Sequence, residues 1–253
     1  MALRSSNPTL KDKVFEKAAQ TVAPGATGVM TVNGSIIKTF LLLGMAIIAA
    51  AFTWRMAYTS IDPDAVFPWI IGGAIGGFVM ALVVTFKPTT APWAAPIYAA
   101  LEGLFLGAIT AFFEMMFPGI AITAIAATML TTLVMLTLYR SGVIKVTQRF
   151  RSIIFIAIAS IAVFYLARLV FSLFGVILPF GVGDSSLISI GISVVIVVVA
   201  ALSLMLDFDF IERGAAMEAP KYMEWYGAFG LMVTIVWLYL EILKLLAKIA
   251  ARD

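Results

Sequence analysis

Seven apolar runs, each about 20 residues or longer, leave this chain one kind of fold. A bilayer core about 30 Å thick is crossed by about 20 helical residues rising 1.5 Å each. In lipid, every backbone N–H and C=O must be satisfied inside the spanning element. The runs are Ile36 to Trp54, Phe67 to Phe86, Trp93 to Phe113, Ile120 to Leu138, Ile153 to Leu178, Leu187 to Leu206 and Trp225 to Leu246. Between them lie Asp62 to Asp64, Lys87 to Pro92, Pro118, the basic stretch Arg140 to Arg151, and Pro179 to Ser186. A β-barrel is excluded, because barrel strands alternate polar and apolar residues. The pattern predicts an all-α integral membrane protein with seven transmembrane helices.

Composition points the same way. The 253 residues are 62% hydrophobic and 12% charged, and mean hydropathy is +1.07. A soluble domain has about 25% charged residues, so this chain has too little polar surface to cover a water-facing exterior. There is no His and no Cys. That removes disulfides, thiolate nucleophiles, a histidine base and Cys/His zinc or haem sites. Acid-base or ion chemistry falls to carboxylates, Lys, Arg and Tyr. No protease motif surrounds the deep acids Glu102 and Glu241. An enzyme is therefore not expected, nor a resident cofactor, nor a nucleic-acid partner.

The division expected is a cytoplasmic amino-terminal tail, residues 1–30, before a seven-helix membrane domain, residues 31–253. Lys11, Asp12, Lys13, Glu16 and Lys17 fall where the apolar part of a cleavable signal would lie. The stretch Thr9 to Gln20 reads either as a short interfacial helix or as a solvated tail ending at Ala23 to Gly25. No fixed-period repeat supports an inverted-repeat transporter.

Lys and Arg in loops are held on the cytoplasmic side. With the amino terminus inside, the inner segments carry Arg4, Lys11, Lys13, Lys17, Lys87, Arg140, Lys145, Arg149, Arg151, Arg213 and Lys221, against Arg55, Lys244, Lys248 and Arg252 outside. The disagreeing group is the carboxyl tail. A re-entrant seventh segment, returning that tail inside, is the alternative to seven full spans.

An ionisable group inside the bilayer is expensive and so a functional candidate. Glu102 lies mid-way along the third run, beside Gly103 and Gly107, a small-xxx-small face that admits another helix. It reads equally as a packing carboxyl. Arg168 stays charged and needs either a route to the interface or a partner; depth counting offers Glu241. The densest acidic group follows the sixth run: Asp207, Asp209, Glu212, Glu218 and Glu224 among Arg213 and Lys221. It reads either as an acidic mouth that attracts cations or as a solvated loop. On a helix Asp207 and Asp209 point about 200° apart. Asp209 is placed to pair with Arg213 at i, i+4, which leaves Asp207 to face inward. Glu241 stands near the end of the last run among Trp237, Tyr239, Lys244 and Lys248, which read as interfacial anchors. Two carboxylates brought close share a proton and sense pH without histidine.

The run Met30 to Trp54, the Leu101 to Gly107 segment and the stretch from Leu204 to Leu246 resemble the bacterial branch of the Bax inhibitor motif (Bax inhibitor-1) family of transmembrane proteins. The resemblance implies two three-helix layers wrapped around a central carboxyl-terminal helix, and a pH-sensitive calcium leak. It also implies a gating pair. Asp207, followed by Ile211, matches the aspartate of the sixth helix, and Glu241, preceded by Leu238 and Tyr239, matches the acid of the seventh, with Glu in place of Asp.

The expectation is thus a pH-sensitive calcium or cation leak in a bacterial plasma membrane, gated by Asp207 and Glu241. Asp209, Glu102 and Arg168 are possible pathway or charge partners, and calcium is cargo, not cofactor. The other reading is a non-conducting protein that binds and restrains a membrane protease or another membrane partner.

Overall fold

The computed structural model describes residues 28–60, 66–176, 181 and 184–252. These hold seven helices: α1 (Val32–Thr59), α2 (Phe67–Phe86), α3 (Ala91–Met116), α4 (Ile120–Arg140), α5 (Gln148–Leu173), α6 (Leu187–Ala216) and α7 (Met223–Ala250). All seven are long and apolar enough to cross a membrane. Among the described residues the only β pairing is a single bridge, Val29 to Pro220. The expected tail lies outside the described residues up to position 27, as do Asp62 to Asp64 and most of Pro179 to Gly183. Gly28 to Met30 are described. Met30 donates its N–H to the Ala219 carbonyl at 2.7 Å and is 1% exposed.

Helix ends follow capping chemistry more closely than hydropathy. α1 begins before the apolar run because the Thr31 hydroxyl accepts from Gly34 N at 2.9 Å, one of the otherwise orphaned first-turn donors. Thr147 does the same for α5, accepting from Phe150 N at 3.2 Å. α5 was expected to reach Leu178 but stops at Leu173, where Gly175 takes a φ of 75° that glycine adopts without a Cβ clash. The last run forms one continuous helix of 28 residues.

α6 differs most from expectation. It continues past Leu206 to Ala216, so Asp207, Asp209 and Glu212 sit on helix and not in a loop. It ends in a Schellman motif, with Ala219 N donating to Gly214 O at 3.0 Å and Glu218 N to Ala215 O at 3.1 Å. The left-handed position is Glu218, φ 50°, which costs an L side chain roughly 1–2 kcal/mol. Glu218→Gly is therefore expected to stabilise the protein by about 1 kcal/mol, read as a higher thermal midpoint in detergent. A lower midpoint would mean that the side chain contributes more than the backbone strain costs.

The helices gather into two compact units. The first holds α1 to α3 with residues 207–233, the end of α6 and the start of α7. Here α3 is the common partner. A Cβ on Gly103 or Gly107 would run into the α1 backbone at Ala46 and Ala50, and one on Gly73 would lie 2.7 Å from the Leu101 carbonyl. The small residues let the helices approach to backbone contact, and the expected face on Gly103 and Gly107 is the one that α1 uses. Tyr98 of α3 meets Phe229 of α7 edge to face at 5.0 Å. The second unit holds α4, α5, the first part of α6 and residues 234–250 of α7. Outward side chains such as Ile48, Phe86 and Leu173 are three-quarters exposed, an apolar exterior suited to lipid.

Candidate functional site: buried charges along the last helix

The first cluster stands at the entry of α7. Glu224, fully buried, accepts from Thr31 N at 3.0 Å, from the Thr31 hydroxyl at 2.9 Å and from Lys221 Nζ at 2.8 Å. Lys38 of α1 completes the set with a salt bridge to the second carboxylate oxygen and lies 5.5 Å from the Trp225 ring centroid. Gly34 makes this possible, since any Cβ there would overlap the Glu224 carboxylate. The position in the first turn of α7 also favours an anion. This acid joins the residues before α1 to the start of α7. It is not part of a solvated loop.

Further into the same unit, Asp207 is half-buried, with its Oδ2 out of solvent. Its Oδ1 would sit 3.7 Å from a Cβ at Gly230 of α7, so the carboxylate faces the last helix where that helix has no side chain. Asp209 pairs with Arg213 as its spacing predicts, Oδ2 to Nε 2.9 Å. Glu102 faces Gly77 of α2, whose Cβ would lie 3.1 Å from its Oε2, and is hydrogen-bonded to Tyr98 one turn earlier on α3.

The second unit holds Glu241, 2% exposed. Its Oε1 accepts from Lys244 Nζ at 2.6 Å, from the Trp237 indole at 3.1 Å and from the Tyr165 hydroxyl at 2.9 Å, which is also 3.0 Å from Oε2. The cation bonded to Glu241 is thus Lys244 and not Arg168; depth counting missed a partner three residues away on the same helix. Arg168 instead reaches the loop after α5, its Nη2 lying 2.7 Å from where a Gly181 Cβ would be. Lys248, 4% exposed, is no interfacial anchor. Its ammonium donates to the Ser189 hydroxyl at 2.8 Å and the Ser193 hydroxyl at 2.9 Å on α6. Trp237, Glu241, Lys244 and Lys248 share one stripe of α7 at −4, 0, +3 and +7.

Asp207 belongs to the first unit and Glu241 to the second. Along α7 itself, Gly230 and Glu241 are eleven residues apart, a rise of about 16 Å. Sequence reading missed the Glu224 clasp, Tyr165, and the hydroxyls around Lys248. A usable signal existed for the last: Ser189 and Ser193 stand at i, i+4 in an apolar helix, where hydroxyls need a partner. Among the described residues, no three His, Cys, Asp or Glu side chains group as metal ligands.

Seven apolar helices, the last of them carrying the buried charges Glu224, Glu241 and Lys248, define a multi-pass helical membrane protein. The chain matches the Bax inhibitor 1 like family over residues 7–251, and it belongs to that family. No curated protein and no solved structure matches it.

Proposed function

We propose that the protein is a pH-sensitive leak for calcium or a similar cation, a conduit and not an enzyme. In this reading Asp207 and Glu241 are its titrating carboxylates. The observation that carries the reading is that both acids border α7: Asp207 against Gly230, and Glu241 buried on the helix itself. A carboxylate placed in a membrane helix is costly and is retained for ion or proton handling. Oxygen donors are what calcium takes, and carboxylates are the anionic side chains of this His-free, Cys-free chain. Family membership supports the same reading. In the same reading the amino terminus lies on the cytoplasmic side of a bacterial plasma membrane, an orientation that the excess of Lys and Arg in the inner segments supports.

The test is purified protein in liposomes with a trapped calcium dye. Leak is expected, with a rate that changes with pH. Asp207→Asn and Glu241→Gln are each expected to remove most of the pH-dependent part of that rate, because an amide has no ionisable proton to exchange in this range. Leak with an unaltered pH response in both variants would remove the carboxylates from gating. Absence of leak at every pH would favour a protein that restrains a membrane partner.

A further inference from the structure

The carboxylate of Glu241 already holds a cation. Lys244 donates to Glu241 Oε1 at 2.6 Å and to the Tyr165 hydroxyl at 3.1 Å, and its Nζ lies 4.7 Å from the centroid of the Tyr165 ring. An exposed i, i+3 pair on one helix is worth a few tenths of a kcal/mol. This pair differs because Glu241 is buried and a third group, Tyr165 on α5, is bonded to both members. Charge-assisted bonds in such low-dielectric surroundings are the strong ones. The side chain of Glu241 is 3% exposed and that of Lys244 24%. Lys244 is therefore the ionic member that reaches the surface.

We propose that Lys244 is a tethered counter-cation, its ammonium occupying the oxygen-lined position at Glu241 and Tyr165 that a hard inorganic cation would otherwise take. The proposal deepens the reading of Glu241 as a carboxylate of the cation leak and rests on that carboxylate being open to cations. Ammonium and cation compete for the same two oxygens, Glu241 Oε1 and the Tyr165 hydroxyl, and hard cations such as calcium select oxygen donors. Lys248 does not take over the position, because its ammonium is held by the Ser189 and Ser193 hydroxyls. The tether makes Glu241 a closed station whose opening requires Lys244 to swing away.

The experiment is terbium binding to the full-length protein in detergent. Terbium is a hard, oxygen-seeking cation that luminesces when a neighbouring indole absorbs, and the Trp237 indole nitrogen is 3.1 Å from Glu241 Oε1. Lys244→Met keeps the stem and removes the charge, whereas Lys244→Arg keeps a charge. The methionine variant is expected to bind terbium at least about tenfold more tightly than wild type or Lys244→Arg, the factor set by losing one charge-assisted bond. Calcium should displace the signal, and a second substitution, Glu241→Gln, should abolish it.

Equal terbium affinity in wild type and Lys244→Met overturns the proposal, as does a gained signal that survives Glu241→Gln. Lys244→Gln carries the same expectation and decides the matter if the methionine variant does not fold. Binding is read without flux, so the two ideas fail separately. A protein that leaks no calcium but gains the terbium site refutes the leak and supports the counter-cation. A pH-gated leak altered by Glu241→Gln, with no gain of terbium on removing Lys244, does the reverse.

Discussion

Alanine at Gly107 is expected to lower stability by about 3 kcal/mol, the upper end of what overpacking usually costs, seen as a fall of roughly 6–12 °C in the thermal midpoint. The added Cβ would overlap the Ala50 carbonyl oxygen and the Thr53 hydroxyl, and would lie 2.6 Å from the Ala50 carbonyl carbon. Backbone atoms cannot rotate aside, so α1 must move off α3. A Cβ on Gly103, one turn earlier on the same face, would lie 2.8 Å from Ala46 Cα, so a separation at Gly107 spreads along the contact. Thr53 is fully buried and its hydroxyl is bonded to the Ala50 carbonyl at 3.2 Å, which removes the one soft neighbour. The matched control is Gly44→Ala on α1, where a Cβ meets nothing within 4 Å and removal of a helical glycine should gain about 0.5–1 kcal/mol. Equal midpoints for the two variants would show that α1 and α3 do not depend on this approach.

What was legible in the sequence was what lipid dictates. α2 has the bounds its apolar run predicts, Phe67–Phe86, because Pro88 ends the run as sharply as solvent does. The end of α6 was illegible for a physical reason: helical hydrogen bonds do not stop where charges begin, and the left-handed cap is Glu218, a residue type that carries no stop signal. The end of α5 carried a signal in Gly175, but the apolar residues beyond it read as more helix. Among side chains, local pairs such as Asp209 with Arg213 follow from spacing alone. Depth counting failed for Glu241 because it sought a charged partner across helices. The bonds instead come from Lys244 on its own helix and from a neutral tyrosine. Lys248 looked like an anchor because a lysine near a helix end usually snorkels, and only the position of α6 shows hydroxyls waiting for it.

Glu224→Ala is expected to cost about 3 kcal/mol, the lower end for breaking a buried ion pair by removing one partner. The loss arises mainly from what remains. Lys38, 16% exposed, and the Thr31 N–H lose their acceptor in a place built around it. Lys221, 53% exposed, returns to water and contributes little. The damage should be local before it is global. Thr31 both caps α1 and donates to Glu224, and the neighbouring Met30 is tied to the Ala219 carbonyl, so residues 29–31 should come loose from the segment before α7. A single thiol reports this cleanly in a chain without cysteine. Met30→Cys should be protected from a water-soluble maleimide in the parent and labelled at least about tenfold faster with Glu224→Ala added, since weakening by even 1.4 kcal/mol multiplies an opening equilibrium tenfold. Substituting both partners, Glu224→Met with Lys38→Met, should recover part of the lost stability, because no uncompensated charge stays buried. If Met30→Cys stays protected beside Glu224→Ala, the bridge of Val29 to Pro220 holds the segment without the clasp.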